Sequence, residues 1–258
     1  EISKSFKVAI TADGGDEVFG GYDKYIKCQR NLRILSKFKS FHHLPYQLTR
    51  KLSFLPSSIY KSLCSLSLNI DLSKSIYYSQ HILSPYADIN KLLKNSKVFP
   101  FKDINKDLNL NNLTELSKFQ LLDIIFYLKN DILFKSDRAS MSAGLELREP
   151  FLDQDIVNYG LSISSIDKIN NQGKICLREI LKGHLPHVSM GKKKGFEIPL
   201  KMLSKSDFMN DSLNSSFKNS SLLWEHLDKE NIKNCLYNKS LNPYNDWQIR
   251  SLIGWFSV

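Results

Sequence analysis

The sequence has few cysteines, no long hydrophobic run and no recognisable signal peptide. Its four cysteines, at positions 28, 64, 176 and 235, are widely separated and form no CxxC pair. So few thiols in 258 residues favour reduced cysteines in a cytoplasm over a disulfide framework or a zinc site. The longest apolar stretch, residues 119–128, is interrupted by Asp123 and falls short of the roughly 20 residues of a membrane span. We therefore expect a cytoplasmic protein with no membrane association.

The positive charge of the chain is spread along its whole length. A net charge of +10 is compatible with a nucleic acid or an anionic small molecule as partner. The lysines are scattered among Asn, Ser and Ile, however, and no recognised nucleic-acid-binding motif occurs. We therefore expect no nucleic-acid partner.

The most informative stretch is an acidic glycine loop near the start, TADGGDEVFGGY at residues 11–22. A short apolar run, residues 7–10, precedes it and is typical of a buried strand, while helical spacing of apolar residues follows from Tyr22 to Leu35. The loop therefore lies at the carboxyl end of a strand, where ligands bind in open α/β sheets. Its four glycines allow close approach to the main chain.

Three carboxylates, Asp13, Asp16 and Glu17, are crowded into five positions of this loop. Like charges this close repel one another and favour a positive counterpart. Mg²⁺ suits that role, because it is often shared between one or two carboxylates and substrate phosphates. The alternative is a solvated acidic turn in which Asp16 or Glu17 caps a helix.

The middle of the chain indicates helices. Residues 37–94 contain prolines between short apolar groups, a pattern that predicts short amphipathic helices. Thr114 is positioned to cap a helix that ends before Pro150, and Asp153 to cap the next helix. Beyond residue 204, the three tryptophans at positions 224, 247 and 255 predict terminal helices that pack through their aromatic side chains.

Two charged groups allow both a structural and a functional interpretation. Asp137, Arg138, Glu146 and Arg148 can form a structural ion-pair cluster on a helix face or can line a site. The three lysines at positions 192–194 can be solvated or can supply positive charge to a leaving pyrophosphate.

Taken together, four stretches resemble the synthetase domain of glutamine-dependent asparagine synthetases. TADGGDEVFGGY is followed by FKSDRASMSAGLELREPFLD, then by GK-x₂-LRE-x₂-K-x₂-LP and KKKGFEIPL, in the order found in that family. The resemblance implies an α/β fold of the adenine nucleotide α-hydrolase type, of which residues 1–258 form the C-terminal part. We expect this part to be mostly α-helical, with one or a few parallel strands.

The family activates a carboxylate with ATP and Mg²⁺, and ammonia then displaces AMP to leave an amide. The resemblance implies that Thr11 and Ala12 contact ATP through the main chain, together with Gly14 and Gly15. It implies that Asp13 supports adenylation and removes a proton from the attacking amine. Asp16 matches an aspartate that holds Mg²⁺ with the pyrophosphate.

The remaining roles fall on cationic and substrate-side residues. Lys193 matches a lysine that stabilises charge on the phosphates, and Lys174 matches a second lysine near them. Asp137, Arg138 and Arg148 match positions that shape the site beside the substrate, and we add Tyr22 to this substrate-binding group.

Two family elements are absent from the sequence. It contains neither the SGGxDS pyrophosphate loop nor the N-terminal glutaminase domain with its cysteine nucleophile. We therefore expect a truncated chain, inactive alone, that requires a glutaminase domain or a partner chain to convert aspartate to asparagine. The alternatives are amidation of another carboxylate (a polysaccharide sugar acid, a peptide or a β-lactam precursor) and an inert fragment that needs a partner chain.

Overall fold

A computed structural model of the chain describes most of its sequence. The described residues are 1–37, 71–81, 92–94, 108–169, 173–189, 217, 222–237 and 243–256. Lys193 and the rest of the lysine loop lie outside them, as do most of the short helices expected over residues 37–94.

Helices dominate the described part of the chain, and a small parallel sheet accompanies them. The strands are β1 (Val8–Ile10) and β2 (Glu146–Arg148). The α-helices, in chain order, are α1 (Gly15–Val18), α2 (Asp23–Leu35), α3 (Leu72–His81), α4 (Glu115–Leu122), α5 (Leu133–Met141), α6 (Gln154–Ser162), α7 (Ser165–Lys168), α8 (Ile175–His184), α9 (Pro186–Ser189), α10 (Leu223–His226), α11 (Lys229–Tyr237) and α12 (Pro243–Trp255). Two 3₁₀ helices span Ile2–Lys4 and Pro150–Leu152, and a π-helix spans Asp123–Ile132. This content is compatible with the expected α/β class.

The two strands pair in parallel although 138 positions separate their first residues, Val8 and Glu146. Val8 pairs with Glu146, and Ile10 pairs with Arg148. This register aligns the carboxyl ends of both strands, so the loops that follow them leave the sheet side by side.

The strand at residues 8–10 is confirmed, but its predicted burial is wrong. Val8 is 45% exposed and Ile10 is 76% exposed. In the described part of the chain, β1 pairs with β2 alone, so its faces are not covered as those of a strand inside a larger parallel sheet would be.

Both predicted helix caps are present. The Thr114 hydroxyl accepts a hydrogen bond from the Ser117 amide at 3.2 Å, which begins α4. The Asp153 carboxylate accepts from the Asp155 amide at 3.0 Å, which begins α6. These bonds satisfy amides that have no partner within their own helix.

The helix after Thr114 differs from the prediction at its centre. Its central ten residues, Asp123–Ile132, are a π-helix between α4 and α5. The end of the helix before Pro150 is confirmed: it ends at Met141, and the residues between the two include β2. Insertions of π-helix are frequent at functional sites, and this one contacts α1, which lies within the acidic loop.

The chain divides into two compact units. The first comprises Glu1–Leu44, Pro56–Gln80 and Asp103–Lys193. Its described core is formed by side chains from α1 to α4, including Val18, Tyr25, Ile76, Leu116 and Phe119, all 0–1% exposed. This packing fixes α1, and with it the acidic loop, against α4 and the π-helix.

The second unit comprises Pro45–Leu55, His81–Lys102 and Lys194–Val258. Its described core contains Ile232 of α11 and Ile253 of α12, both fully buried. Trp224 stacks on Phe217 with ring centroids 4.8 Å apart, so the predicted aromatic packing is confirmed there. It is wrong for Trp255, which is 73% exposed.

None of the described helices combines the length and the apolar character that crossing a bilayer requires.

Candidate functional site

The acidic loop and the loop after β2 begin side by side. The Thr11 amide donates to the Arg148 carbonyl at 2.9 Å, which continues the strand pairing by one bond. The chain then turns through Ala12 and Asp13 into α1, while the other strand leads into the 3₁₀ helix at Pro150–Leu152. The site is therefore built where two parallel strands end, as the sequence predicts for the first of them.

Glycines 14 and 15 allow the loop after β2 to pack on the acidic loop. Gly14 is left-handed, with φ of +86°, and a Cβ there would overlap the Leu152 side chain. A Cβ on Gly15 would lie 3.1 Å from the Phe151 ring. Close packing of these two loops is a structural reason for the glycine pair, and the ATP contact that the family resemblance implies remains a prediction.

Asp16 and Lys174 form an ion pair at the start of α1. The Lys174 Nζ lies 3.1 Å from the Asp16 Oδ1, and both side chains are roughly a quarter exposed. Gly21 lies beside this pair, and a Cβ there would overlap both the Asp16 carboxylate and the Lys174 Cε. The structure therefore brings together two predicted site residues that are 158 positions apart.

The backbone of Lys174 is in the left-handed region, with φ of 53° and ψ of 38°. Among the described residues it is the one non-glycine residue with a positive φ. This conformation costs a residue with a side chain roughly 1–2 kcal/mol. Gly173 precedes it, where a Cβ would lie 2.8 Å from the Gly20 carbonyl. The strained turn thus directs the Lys174 ammonium onto Asp16.

Asp13 is held by two hydroxyl groups. Thr11 Oγ1 and Ser136 Oγ each donate to the Asp13 Oδ2 at 3.2 Å. Asp13 is partly exposed, so its carboxylate is both oriented and accessible. Ser136 was not predicted from the sequence, because it is one small polar residue among many in a helix and its one signal is its position next to Asp137 and Arg138.

Glu17 is buried behind this surface. Burial raises the pKa of Glu17, and the hydrogen bond from the Tyr22 hydroxyl at 2.7 Å lowers it in part. Burial also raises the pKa of Tyr22, so its hydroxyl stays protonated and donates. Neither Asp16 nor Glu17 caps α1 with its side chain, and Gly14 occupies the capping position. The capping alternative for these carboxylates is therefore wrong.

A buried ion pair lies behind Tyr22. The Lys24 Nζ lies 2.7 Å from the Asp123 Oδ1 and 4.5 Å from the ring centres of both Tyr22 and Tyr127. The Tyr77 hydroxyl donates to the same Asp123 oxygen at 2.7 Å. A cation between two aromatic faces is stabilised by their quadrupoles. This network connects the π-helix, α2 and α3 directly beneath the acidic loop.

The substitution Tyr77→Phe should lower the free energy of unfolding by about 1.5 kcal/mol, because it removes one hydrogen bond to a buried carboxylate. Urea denaturation measures the change. Tyr159→Phe is the matched control, since Tyr159 is 66% exposed, and it should leave the midpoint unchanged. Equal midpoints for the two variants would contradict the contribution assigned to this bond.

Three of the predicted substrate-side residues, Asp137, Arg138 and Arg148, are exposed, whereas Tyr22 is half-buried and bonded to Glu17. Arg148 pairs with Glu146 at 2.6 Å, and both side chains are more than half exposed. The Arg138 guanidinium lies 5.1 Å from the centre of the Phe134 ring. Asp137 forms no ion pair within the described residues, so the four-residue cluster of the structural alternative is reduced to one exposed pair.

The donor set fits a shared metal ion better than an enclosed one. Within the described ranges, no three His, Cys, Asp or Glu side chains are grouped closely enough to hold a metal by themselves. Asp16 is an accessible carboxylate next to a lysine, a set that suits Mg²⁺ only when substrate phosphates supply further oxygens.

Comparison with known proteins covers nearly the whole chain. The family described as asparagine synthase matches residues 1–257. Asparagine synthetase [glutamine-hydrolyzing] 1 of Bacillus subtilis (strain 168) is 26% identical over 281 aligned positions, which include 100% of this chain and 41% of that protein. The putative asparagine synthetases [glutamine-hydrolyzing] of Mycobacterium bovis and Mycobacterium tuberculosis (strain H37Rv) are 27% identical, over 78% of this chain and 31% of theirs.

The chain therefore spans about two fifths or less of the length of these curated relatives. No solved structure matches it significantly. The match from residue 1 to residue 257 is sufficient to assign the family: the chain belongs to the asparagine synthase family.

Proposed function

We propose that this chain is part of an ATP-dependent amide synthase that converts aspartate to asparagine. The observation that carries the proposal is the Asp16–Lys174 pair at the carboxyl ends of two parallel strands, beside the oriented carboxylate of Asp13. Both side chains are partly exposed. The carboxylate can bind the magnesium ion, and the ammonium can bind the phosphate oxygens of a magnesium-bound pyrophosphate. Family membership supports a ligase of the amidotransferase type.

In the first half-reaction, an oxygen of the aspartate β-carboxylate attacks the α-phosphorus of ATP. The bond to the β-phosphate oxygen breaks, which gives β-aspartyl-AMP and pyrophosphate. Bound Mg²⁺ supplies positive charge to the pyrophosphate, and Asp16 would hold it. Lys174 and Lys193 stabilise the negative charge that gathers on the phosphates. Preorganised groups of this kind each contribute roughly 3–4 kcal/mol to lowering a barrier.

In the second half-reaction, ammonia attacks the acyl carbon, AMP leaves, and the attacking nitrogen loses a proton. Asp13 accepts that proton, because its carboxylate is partly exposed and held in place by Thr11 and Ser136. The substrate side of the proposed site is formed by Tyr22, Asp137, Arg138 and Arg148. The ammonia comes from glutamine, hydrolysed by a glutaminase domain or partner chain outside residues 1–258.

Substrate-dependent exchange of labelled pyrophosphate into ATP tests the first half-reaction without requiring ammonia. The full polypeptide that carries these residues should exchange with aspartate at least about tenfold faster than with glutamate, which is one methylene longer. Exchange with a sugar acid or a peptide carboxylate, but not with aspartate, would move the assignment to another acceptor. No exchange with any carboxylate would contradict adenylation itself.

A further inference from the structure

Lys168, the last residue of α7, is a buried cation behind the acidic loop. Its residue is 1% exposed, and its Nζ donates to the Gln120 Oε1 at 3.1 Å and to the Leu161 carbonyl at 3.3 Å. Both acceptors are uncharged, and no carboxylate in the described part of the chain pairs with it. Burial lowers the pKa of Lys168 to about 8. A buried ammonium without a carboxylate is costly to a folded protein.

Gln120 transmits this charge to the acidic loop. Its Nε2 donates to the Glu17 carbonyl at 2.6 Å and to the Val18 carbonyl at 2.8 Å. These carbonyls end α1 and have no partner within so short a helix. The Lys168 ammonium donates to the Gln120 Oε1. The Gln120 side chain must therefore turn its Nε2, not its oxygen, towards the Glu17 and Val18 carbonyls. A bond from a charged donor also polarises the amide and strengthens the bonds that it donates in turn.

The residues after Lys168 reach the same loop from its other side. The Ile169 side chain would lie 2.8 Å from a Cβ on Gly20, and Gly173 lies against the Gly20 carbonyl. Lys174 then pairs with Asp16. Two lysines six positions apart therefore hold the short α1. Lys168 acts on its backbone carbonyls through Gln120, and Lys174 pairs with the Asp16 carboxylate.

We infer that Lys168, acting through Gln120, is a positioning residue that fixes the backbone of α1 so that Asp16 is presented to the metal-bound pyrophosphate. It touches neither substrate nor metal. Its part in the reaction rests on the proposed function, whereas its hold on α1 does not.

Hydrogen exchange measures that hold without any substrate. The amides of Val18, Phe19 and Gly21 are bonded to the carbonyls of Gly14, Gly15 and Asp16. The substitution Lys168→Met keeps the length of the side chain and removes the ammonium, and it should accelerate exchange of these three amides about tenfold, as expected for losing one buried hydrogen bond.

A second variant covers the case in which Lys168→Met fails to fold. Gln120→Glu keeps the volume and gives Lys168 a carboxylate, but it removes the donor to the Glu17 and Val18 carbonyls. It should accelerate the same amides to a similar extent. Lys129→Met is the matched control, because Lys129 is an exposed lysine of the π-helix, and it should change nothing.

Magnesium dependence of pyrophosphate exchange separates positioning from general stabilisation. In folded Lys168→Met, the Mg²⁺ concentration for half-maximal exchange should rise about tenfold, with the rate recovered at saturating Mg²⁺. Unchanged amide exchange in Gln120→Glu, or equal acceleration throughout the first unit, would overturn the inference. An unchanged Mg²⁺ requirement in folded Lys168→Met would also overturn it. Absence of pyrophosphate exchange in the wild-type full polypeptide would contradict the proposed function alone. The hydrogen-exchange result for the α1 amides does not depend on that reaction.

Discussion

Replacing Asp16 by asparagine should reduce aspartate-dependent pyrophosphate exchange by about 10²–10³-fold. Losing one well-placed electrostatic group has an effect of this size. The amide has the same shape as the carboxylate but no charge to hold Mg²⁺ or to orient the Lys174 ammonium, which lies 3.1 Å away. Initial rates at saturating ATP and aspartate measure the change.

Asp131→Asn is the matched control for this substitution. Asp131 is an exposed carboxylate of the π-helix that pairs with Lys135 at 3.5 Å, so it has a similar partner but lies outside the proposed site. Its variant should keep wild-type rates. If Asp16→Asn also retained the wild-type rate, Asp16 would have no part in holding the metal.

Replacing Gly21 by alanine should lower the rate of pyrophosphate exchange about 10²-fold, although neither residue has a reactive side chain. The new Cβ would occupy the space of the Asp16 carboxylate and the Lys174 Cε, so the two side chains would have to separate. A displacement of about 1 Å at a reacting group can cost this much. Exchange rates measure the loss, and circular dichroism measures whether the fold is retained.

Gly183→Ala isolates the steric part of this effect. Gly183 lies in α8, where an added Cβ meets nothing within 4 Å. Its variant should keep full activity and gain up to about 1 kcal/mol in stability, because alanine favours helix. Full activity in Gly21→Ala would show that close contact of Asp16 and Lys174 is not required.

The position of the acidic loop at the end of β1 was predictable because the loop follows an apolar run and contains its own turn residues. Its partner strand was not, because Glu146-Leu147-Arg148 is short, mostly charged and alternates around one half-buried leucine. Low intrinsic strand propensity hides such a segment. The segment is a strand because it pairs with β1, which lies near the start of the first unit. Periodicity along the sequence does not indicate pairing between segments so far apart.

The predicted burial of β1 was wrong because it was inferred from composition. An apolar run of three residues indicates a strand with both faces covered only if other elements lie against it. In the described chain, Val8 and Ile10 have no such cover. The run itself is a strand, as its β-branched residues indicate.

The buried polar residues of α4 and the π-helix are visible in the helical spacing of the sequence. Leu116, Phe119, Gln120 and Asp123 follow the i, i+3, i+4, i+7 spacing of one helix face, so two polar residues occupy core positions. Gln120 and Asp123 are indeed fully buried. Their partners, Lys168 and Lys24, come from other helices and were not predictable from spacing along the chain.

Calorimetric titration with pyrophosphate in the presence of Mg²⁺ tests the central claim most directly, namely that Asp16 and Lys174 form the pyrophosphate end of a nucleotide site. The account predicts saturable, Mg²⁺-dependent binding to the full polypeptide that carries these residues, and affinity at least about tenfold weaker in its Asp16→Asn variant. Equal affinity in the two proteins, or binding that is indifferent to Mg²⁺, would contradict it.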